Sequence, residues 1–216
     1  MSEVINHNGK IVADQRPADD IAGQSPLHHA DLNSLASQGP QTGGVTIQER
    51  PLQGLLNLRC NKADKKQVTA VKKLLGVALP CDPLSSASND DSVIRWLSPD
   101  EWLVSVDGAK AFELEAAFQA NMPGHYSLVN VSGGYTILEI SGDHAVDVIK
   151  KSAPIDVHQS SFPNDKVVST VFAKSGAIIR RIAEDHFELI IRRSFADYLW
   201  IWLQDASREY GLVVKR

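Results

Sequence analysis

Cysteine is scarce in this chain. Its 216 residues hold two, Cys60 and Cys81, and they form no CxxC pair. So few thiols exclude a disulfide framework and suit a reducing compartment. Positive charge is not in excess either: 22 Lys and Arg stand against 26 Asp and Glu, a formal net charge of -4. That balance removes the electrostatic case for nucleic-acid binding. No run of about 20 apolar residues occurs, so no membrane-spanning helix is expected. The opening Met1-Ser-Glu-Val-Ile-Asn-His-Asn lacks the basic start and apolar stretch of a secretory signal, and the cytoplasm is the expected location.

Reactive motifs are missing as well. There is no G-x-S-x-G, P-loop, G-x-G-x-x-G or H-E-x-x-H. His28 and His29 are adjacent, a poor arrangement for sharing a metal, and read as solvated or partner-facing. His158 and His186 stand alone in expected loops. Asp90-Asp91 and Asp100-Glu101 are carboxylate pairs, but acid–base work needs environments that push two pKa values apart. Neighbouring acids in polar turns do not supply that, so both pairs read as solvated. No catalytic, cofactor-binding or metal-binding residue is expected in this chain.

What remains is a globular composition, 43% hydrophobic and 22% charged, long enough for one large or two small domains. Residues 1–44 contain no aromatic residue and end in the polar run Gln38-Gly-Pro-Gln-Thr-Gly-Gly44. Such a stretch buries too little apolar surface to offset its ordering entropy. It reads as an arm, flexible alone or ordered along a partner, with one compact feature, Ser25-Pro-Leu-His-His29.

The body is expected from Val45. Residues 45–60 read as extended, with Leu56, Leu58 and Cys60 on one face and Pro51 marking an edge or kink. Asp64 precedes a helical pattern of Val68, Val71, Leu74 and Leu75, with Gln67 placed for a capping box and Gly76 for the C-terminus. Lys65, Lys66, Lys72 and Lys73 form its solvated side. Residues 80–92 read as a loop. Residues 93–97 and 102–106 read as strands joined through Ser98-Pro-Asp-Glu101. Asp107 can cap a helix with Ala111, Leu114 and Phe118 inward, and 126–131 is again a strand. The order β-α-β-β-α-β over 45–132 predicts a ferredoxin-like subdomain.

A second α+β subdomain is expected over 133–216. Thr136, Leu138 and Ile140 alternate as a strand. Asp143 is placed to cap a short helix burying Ala145, Val146 and Ile149. Residues 167–173, 177–182 and 187–191 read as strands. The chain closes on a long amphipathic helix, capped by Ser194 with Asp197 at N3, whose inward stripe is read as Phe195, Tyr198, Leu199, Trp202, Leu203 and Ala206. Trp200 and Ile201 fall off that stripe and are candidates for a partner surface. Trp96 and Trp102 flank the hairpin turn, as cross-strand packing or as partner contacts.

Several stretches resemble the gamma subunit family of heterotetrameric sarcosine oxidase. They are Leu97-Ser-Pro-Asp-Glu-Trp-Leu103, Val129-Asn-Val-Ser132, Ser141-Gly-Asp-His-Ala-Val-Asp-Val-Ile-Lys150, Pro154-Ile-Asp-Val-His158 with Phe162-Pro163, and Arg192-Arg-Ser-Phe-Ala-Asp-Tyr-Leu-Trp200. Ser25-Pro-Leu27 is similar to the family's N-terminal arm. The resemblance is strong over 93–211 and loose over 45–92. It implies a complex in which alpha, beta and delta subunits accompany this chain. Sarcosine is there demethylated oxidatively to glycine, with one-carbon transfer to tetrahydrofolate and peroxide formation. FAD, FMN, NAD, tetrahydrofolate and zinc would be held by the other subunits.

That family is related in fold to the aminomethyltransferase (T-protein) of glycine cleavage, so the resemblance implies two aminomethyltransferase-like α/β subdomains with antiparallel sheets covered by helices. T-proteins carry Asp-Val-Ser-His-Met-Gly where this chain has Asn130-Val-Ser-Gly-Gly134. They carry Gly-Gly-Ile-Leu-Asp-Asp, with a folate-handling aspartate, where it has Gly176-Ala-Ile-Ile-Arg180-Arg181. A guanidinium stays protonated and cannot act as a general base. The resemblance therefore implies an inherited fold without its folate chemistry. Ser25, Pro26, Leu27, His28, Trp96, Trp102, Arg180, Arg181, Trp200 and Ile201 are the expected partner-facing residues. The competing expectations are a stand-alone folate-binding protein of this fold and a generic dimeric interaction module.

Overall fold

The computed structural model describes residues 22–216, together with the antiparallel pairing of β1 (Asn6–His7) with β2 (Lys10–Ile11). The expectation of an arm over 1–44 therefore falls partly outside the described residues.

The first unit follows the expected order with one strand added. It runs β4 (Gly54–Arg59), α2 (Lys65–Leu75), β5 (Ser86–Ser88), β6 (Ser92–Ser98), β7 (Glu101–Val106), α3 (Ala111–Asn121) and β8 (Ser127–Asn130). Its sheet order is β5-β6-β7-β4-β8, every described neighbour pair antiparallel. This is the split βαβ arrangement of ferredoxin-like folds plus an edge strand, β5, inside the expected loop. Asp64 caps α2 by accepting from the Lys66 N–H at 2.9 Å, and Gly76 ends it with φ 68°. Gln67 does not close a capping box. It is 2% exposed, accepts from the Asn61 N–H and donates to the carbonyls of Pro123 and His125.

The second unit repeats the pattern with β9 (Tyr135–Ser141), α4 (Ala145–Ser152), β10 (Val167–Phe172), β11 (Ser175–Ala183), β12 (His186–Arg192), α5 (Ala196–Ser207) and β13 (Leu212–Lys215). Its sheet order is β10-β11-β12-β9-β3-β13. The intruder is β3 (Val45–Arg50), antiparallel to β9 and parallel to β13. Residues 45–60 are thus not one extended segment. The chain turns at Pro51-Leu52, where Leu52 has φ 55°, and the two strands serve different sheets. The turn packs so closely that a Cβ on Gly108 would lie 2.1 Å from the Leu52 carbonyl oxygen, so only glycine fits there.

Alternation along the strands sets the layers. Leu56, Leu58, Trp102 and Val104 face α2 and α3 in one core. Leu138, Ile140, Phe187, Leu189 and Ile191 face α4 and α5 in another. The opposite faces of the two sheets meet through Leu55, Leu103, Ile137 and Ile190. The result is helices, sheet, sheet, helices, with the buried Arg95 of β6 reaching Glu188 of β12 across the middle.

Residues 22–44 are packed against the second unit. Leu27 is 1% exposed within its core, joined by Ala30 and Leu32. Ser25 Oγ donates to Glu49 at 2.8 Å. α1 (Leu32–Gln38), capped by Asp31, lies beside β13. The apolar Leu27, Ala30 and Leu32 supply the anchorage that the composition of the whole arm concealed.

Two expected caps are absent. Neither α4 nor α5 has a side-chain cap hydrogen bond. Backbone replaces them: the Ala145 N–H donates to the Gly142 carbonyl, and a 3-10 turn, Arg193–Phe195, feeds α5 with the Ala196 N–H bonded to the Arg193 carbonyl.

Candidate functional site

Arg180 and Arg181 lie on opposite faces of β11. Arg180 points between the sheets and is 5% exposed. Its guanidinium donates to Asp165 at 2.7 Å, to Ser86 Oγ at 2.8 Å and to Ser88 Oγ at 3.1 Å. Since Ser86 and Ser88 belong to β5, Arg180 staples the second sheet to the edge of the first. Arg181 points toward the helices and is 2% exposed. It donates to Gln159 and to the carbonyls of Val157 and Glu184, and its guanidinium lies 4.6 Å from the Phe187 ring centroid. Burial lowers its pKa from the ordinary value, while Asp185 and Glu184 act the other way.

Asn130 and Ser132 are likewise occupied within the fold. Asn130 Nδ2 donates to Glu115 of α3, and its Oδ1 accepts from the Ser132 hydroxyl and N–H. Ser132 Oγ accepts from the Leu55 N–H at 2.9 Å. Gly133 and Gly134 are exposed, and a Cβ built on either meets nothing within 4 Å.

Of the ten residues expected to face a partner, five are in the interior: Leu27, Trp102, Arg180, Arg181 and Trp200. Trp102 is fully buried, and its indole N–H donates to the Pro80 carbonyl at 2.7 Å. It pairs across the strands with Trp96, which is half-buried. Trp200 is 4% exposed, within the second core. Its position follows from the phase of α5. Phe195 sits in the 3-10 turn before the helix, so the buried stripe is Ala196, Leu199, Trp200, Leu203, Ala206 and Ser207. Ser25 and Pro26 are half-buried, while His28 and Ile201 are exposed. The structure brings the 25–29 segment to α5, where His29 Nε2 lies 2.8 Å from Asp197.

The same shift exposes residues read as inward. Phe195 in the 3-10 turn, and Tyr198 and Ile201 on the outer face of α5, have exposures of 40%, 36% and 59%. Arg192 and Arg193, just before the helix, are exposed, and among the described residues neither makes a side-chain hydrogen bond or ion pair. The 3-10 turn is the feature that the apolar spacing could not reveal.

The remaining polar groups are largely satisfied by one another. His186 lies 3.1 Å from Glu139, and that contact, helped by the charges of Arg50 and Arg180, holds the Glu139 carboxyl below its ordinary range. His158 Nδ1 is 2.8 Å from Ser160 Oγ. Among the described residues no three His, Cys, Asp or Glu side chains gather into a metal-ligating group, and no helix is long and apolar enough to cross a membrane. A cleft of about 510 Å³ opens at one end of the first sheet, where Arg59 and Asp100 neutralise each other at 2.7 Å.

None of the curated proteins matches this chain by sequence. A chain of the heterotetrameric sarcosine oxidase from Corynebacterium sp. U-96 is similar over 87% of this chain and 95% of its own length, with 25% identity and a TM-score of 0.76. The glycine cleavage system aminomethyltransferase T from Bartonella henselae is similar in fold, with a TM-score of 0.56 and 14% identity. This chain covers 47% of that protein, about half its length. The fold is thus aminomethyltransferase-like, as the family resemblance implies. The profile of the sarcosine oxidase, gamma subunit family matches residues 59–209. A chain built of two ferredoxin-like units and matched over residues 59–209 by that profile belongs to the sarcosine oxidase gamma subunit family.

Proposed function

We propose that this chain is a docking subunit of a heterotetrameric sarcosine oxidase and contributes no reactive group of its own. Its partners in this reading are the alpha, beta and delta subunits, which carry out oxidative demethylation of sarcosine to glycine in the cytoplasm. They would hold the FAD, FMN, NAD, tetrahydrofolate and zinc. The observation that carries the reading is Arg180: at the position that the resemblance sets against a folate-handling acid, a guanidinium is buried and bonded to Asp165, Ser86 and Ser88. Tetrahydrofolate does not fit these residues. A cation already committed to three oxygen acceptors offers its amines no anionic anchor and no base.

The test is co-expression with the remaining oxidase subunits, followed by affinity purification through a tag on this chain. Co-purification with a flavin-containing subunit is expected. The isolated chain is expected to give no turnover of sarcosine and no calorimetric signal with tetrahydrofolate. Folate binding that Arg180→Ala abolishes would favour the stand-alone folate-binding reading instead.

A further inference from the structure

The fold brings Cys60 and Cys81 to one place. Cys60 follows β4, and its N–H donates to the Asp100 carbonyl at 3.1 Å. Two residues before it, Leu58 stands opposite Trp102 of β7. The Trp102 indole N–H donates to the Pro80 carbonyl at 2.7 Å, so the residue before Cys81 is bound to the neighbouring strand. Two residues after Cys60, the Lys62 ammonium donates to the Cys81 carbonyl at 3.1 Å. Residues 80–81 are thus tied down on either side of Cys60. Cys60 belongs to the first core, with Leu56, Leu58 and Trp102, and Cys81 packs against that core. Burial, and after it the nearby Cys81, push the Cys60 thiol up to about 11. A charge on one sulfur is felt at the other only when the two are neighbours. Both thiols are free.

The two differ in access. Cys81 is half-buried, and its thiol donates to the Leu79 carbonyl at 3.4 Å. Cys60 is 5% exposed, and at neutral pH its raised thiol is almost wholly protonated. The outer sulfur therefore meets an oxidant first, with the inner one behind it. We propose that Cys60 and Cys81 form a reversible thiol–disulfide site whose oxidant is a peroxide. The Cys81 thiolate attacks one peroxide oxygen; the O–O bond breaks, an S–O bond forms and hydroxide leaves. Cys81 is then a sulfenic acid, oxidised by two electrons, and the peroxide is reduced. The Cys60 sulfur displaces that oxygen, its proton leaves with the hydroxyl as water, and the S–S bond forms. A thiol reductant supplies two electrons and restores both thiols, so the bond is a transient one of the kind a reducing compartment allows. It ties the end of β4 to the loop after α2, beside the cleft that Cys60 lines.

The full chain, reduced and then freed of reductant, tests this. It is exposed to hydrogen peroxide in the absence of denaturant, quenched with an alkylating reagent and mapped by peptide mass spectrometry without reduction. A peptide linked through Cys60 and Cys81 of a single chain is expected, and dithiothreitol should return both thiols. Cys60→Ser should stop at a Cys81 sulfenic acid, which dimedone traps. Cys81→Ser should lose its remaining thiol about tenfold or more slowly than the wild type loses its thiols. Wild-type Cys81 that passes on to sulfinic acid with no linked peptide overturns the proposal, because the two sulfurs then do not meet. A bond between two chains overturns it as well, and so does a Cys60 that is oxidised as fast without Cys81 as with it. Should a variant fail to fold, the wild-type map decides alone: the intrachain link sustains the pair, and its absence removes it.

Discussion

Arg95 on β6 and Glu188 on β12 join the two sheets by paired hydrogen bonds, Nε to Oε1 at 2.6 Å and Nη2 to Oε2 at 2.5 Å. Arg95 is fully buried and Glu188 6% exposed, and the third guanidinium nitrogen donates to Ser105 Oγ at 2.9 Å. A buried pair of this kind need not add net stability, but removing one partner strands the other charge. Glu188→Ala is expected to cost about 3–5 kcal/mol in urea unfolding. Arg95→Met/Glu188→Leu, which removes both charges and keeps apolar volume, should cost less than that single change. The opposite ranking would show that the pair itself, not the stranded charge, dominates.

Adjacent residues of α5 give a sharper contrast. Trp200→Ala opens a cavity in the second core and should lower stability by about 3–5 kcal/mol. Ile201→Ala, on the outer face, should stay within about 0.5 kcal/mol. Chemical denaturation of the two variants measures both, and equal losses would contradict the phase of α5.

Acid titration has a defined sign at Glu139. Its carboxyl is held below the ordinary range, first by His186 and then by the charges of Arg50 and Arg180, against the effect of burial. A depressed carboxylate contributes stability that is present above its unfolded value, about 4.3, and is lost as pH falls through the folded value. Glu139→Gln should therefore be less stable than the wild type at pH 7. The gap should close as pH falls below about 4, where the wild-type carboxyl protonates too. Urea midpoints across pH 3–7 (an approximate range set by those values) follow it.

Thiol chemistry should separate the two cysteines. Burial pushes the Cys60 thiol up to about 11, while Cys81 is half-exposed. At about pH 8 almost no Cys60 thiolate exists, so an alkylating reagent should label Cys81 first and Cys60 only on unfolding. Peptide mass spectrometry reads the order directly.

These contrasts mark how far the sequence was legible. The α2 helix, the β6–β7 hairpin and the order of the first unit were readable because their signals are local: a capping Asp64, a closing Gly76, a Pro99-Asp100 turn. Trp200 was misplaced because the apolar stripe was anchored on Phe195, which lies in the preceding 3-10 turn and out of helical phase. Ala196 and Ser207, too small to register as core, mark the true buried face. The interior position of Arg180 was hidden because its acceptors, Ser86, Ser88 and Asp165, come from a loop-like stretch and a distant segment. Strands β5 and β13 were missed for a related reason: they are short, and their pairing partners supply the pattern that their own residues lack.

The insertion of β3 between β9 and β13 has a consequence for synthesis on the ribosome. Residues 45–50 emerge early, yet their neighbours on either side are 135–141 and 212–215, so both edges of that strand stay open while the whole first unit is made. Long-range pairing of this type is slow and leaves strand edges open to wrong partners. The strand at 45–50 is thus open to mispairing during synthesis until residues 212–215 leave the exit tunnel and close the sheet.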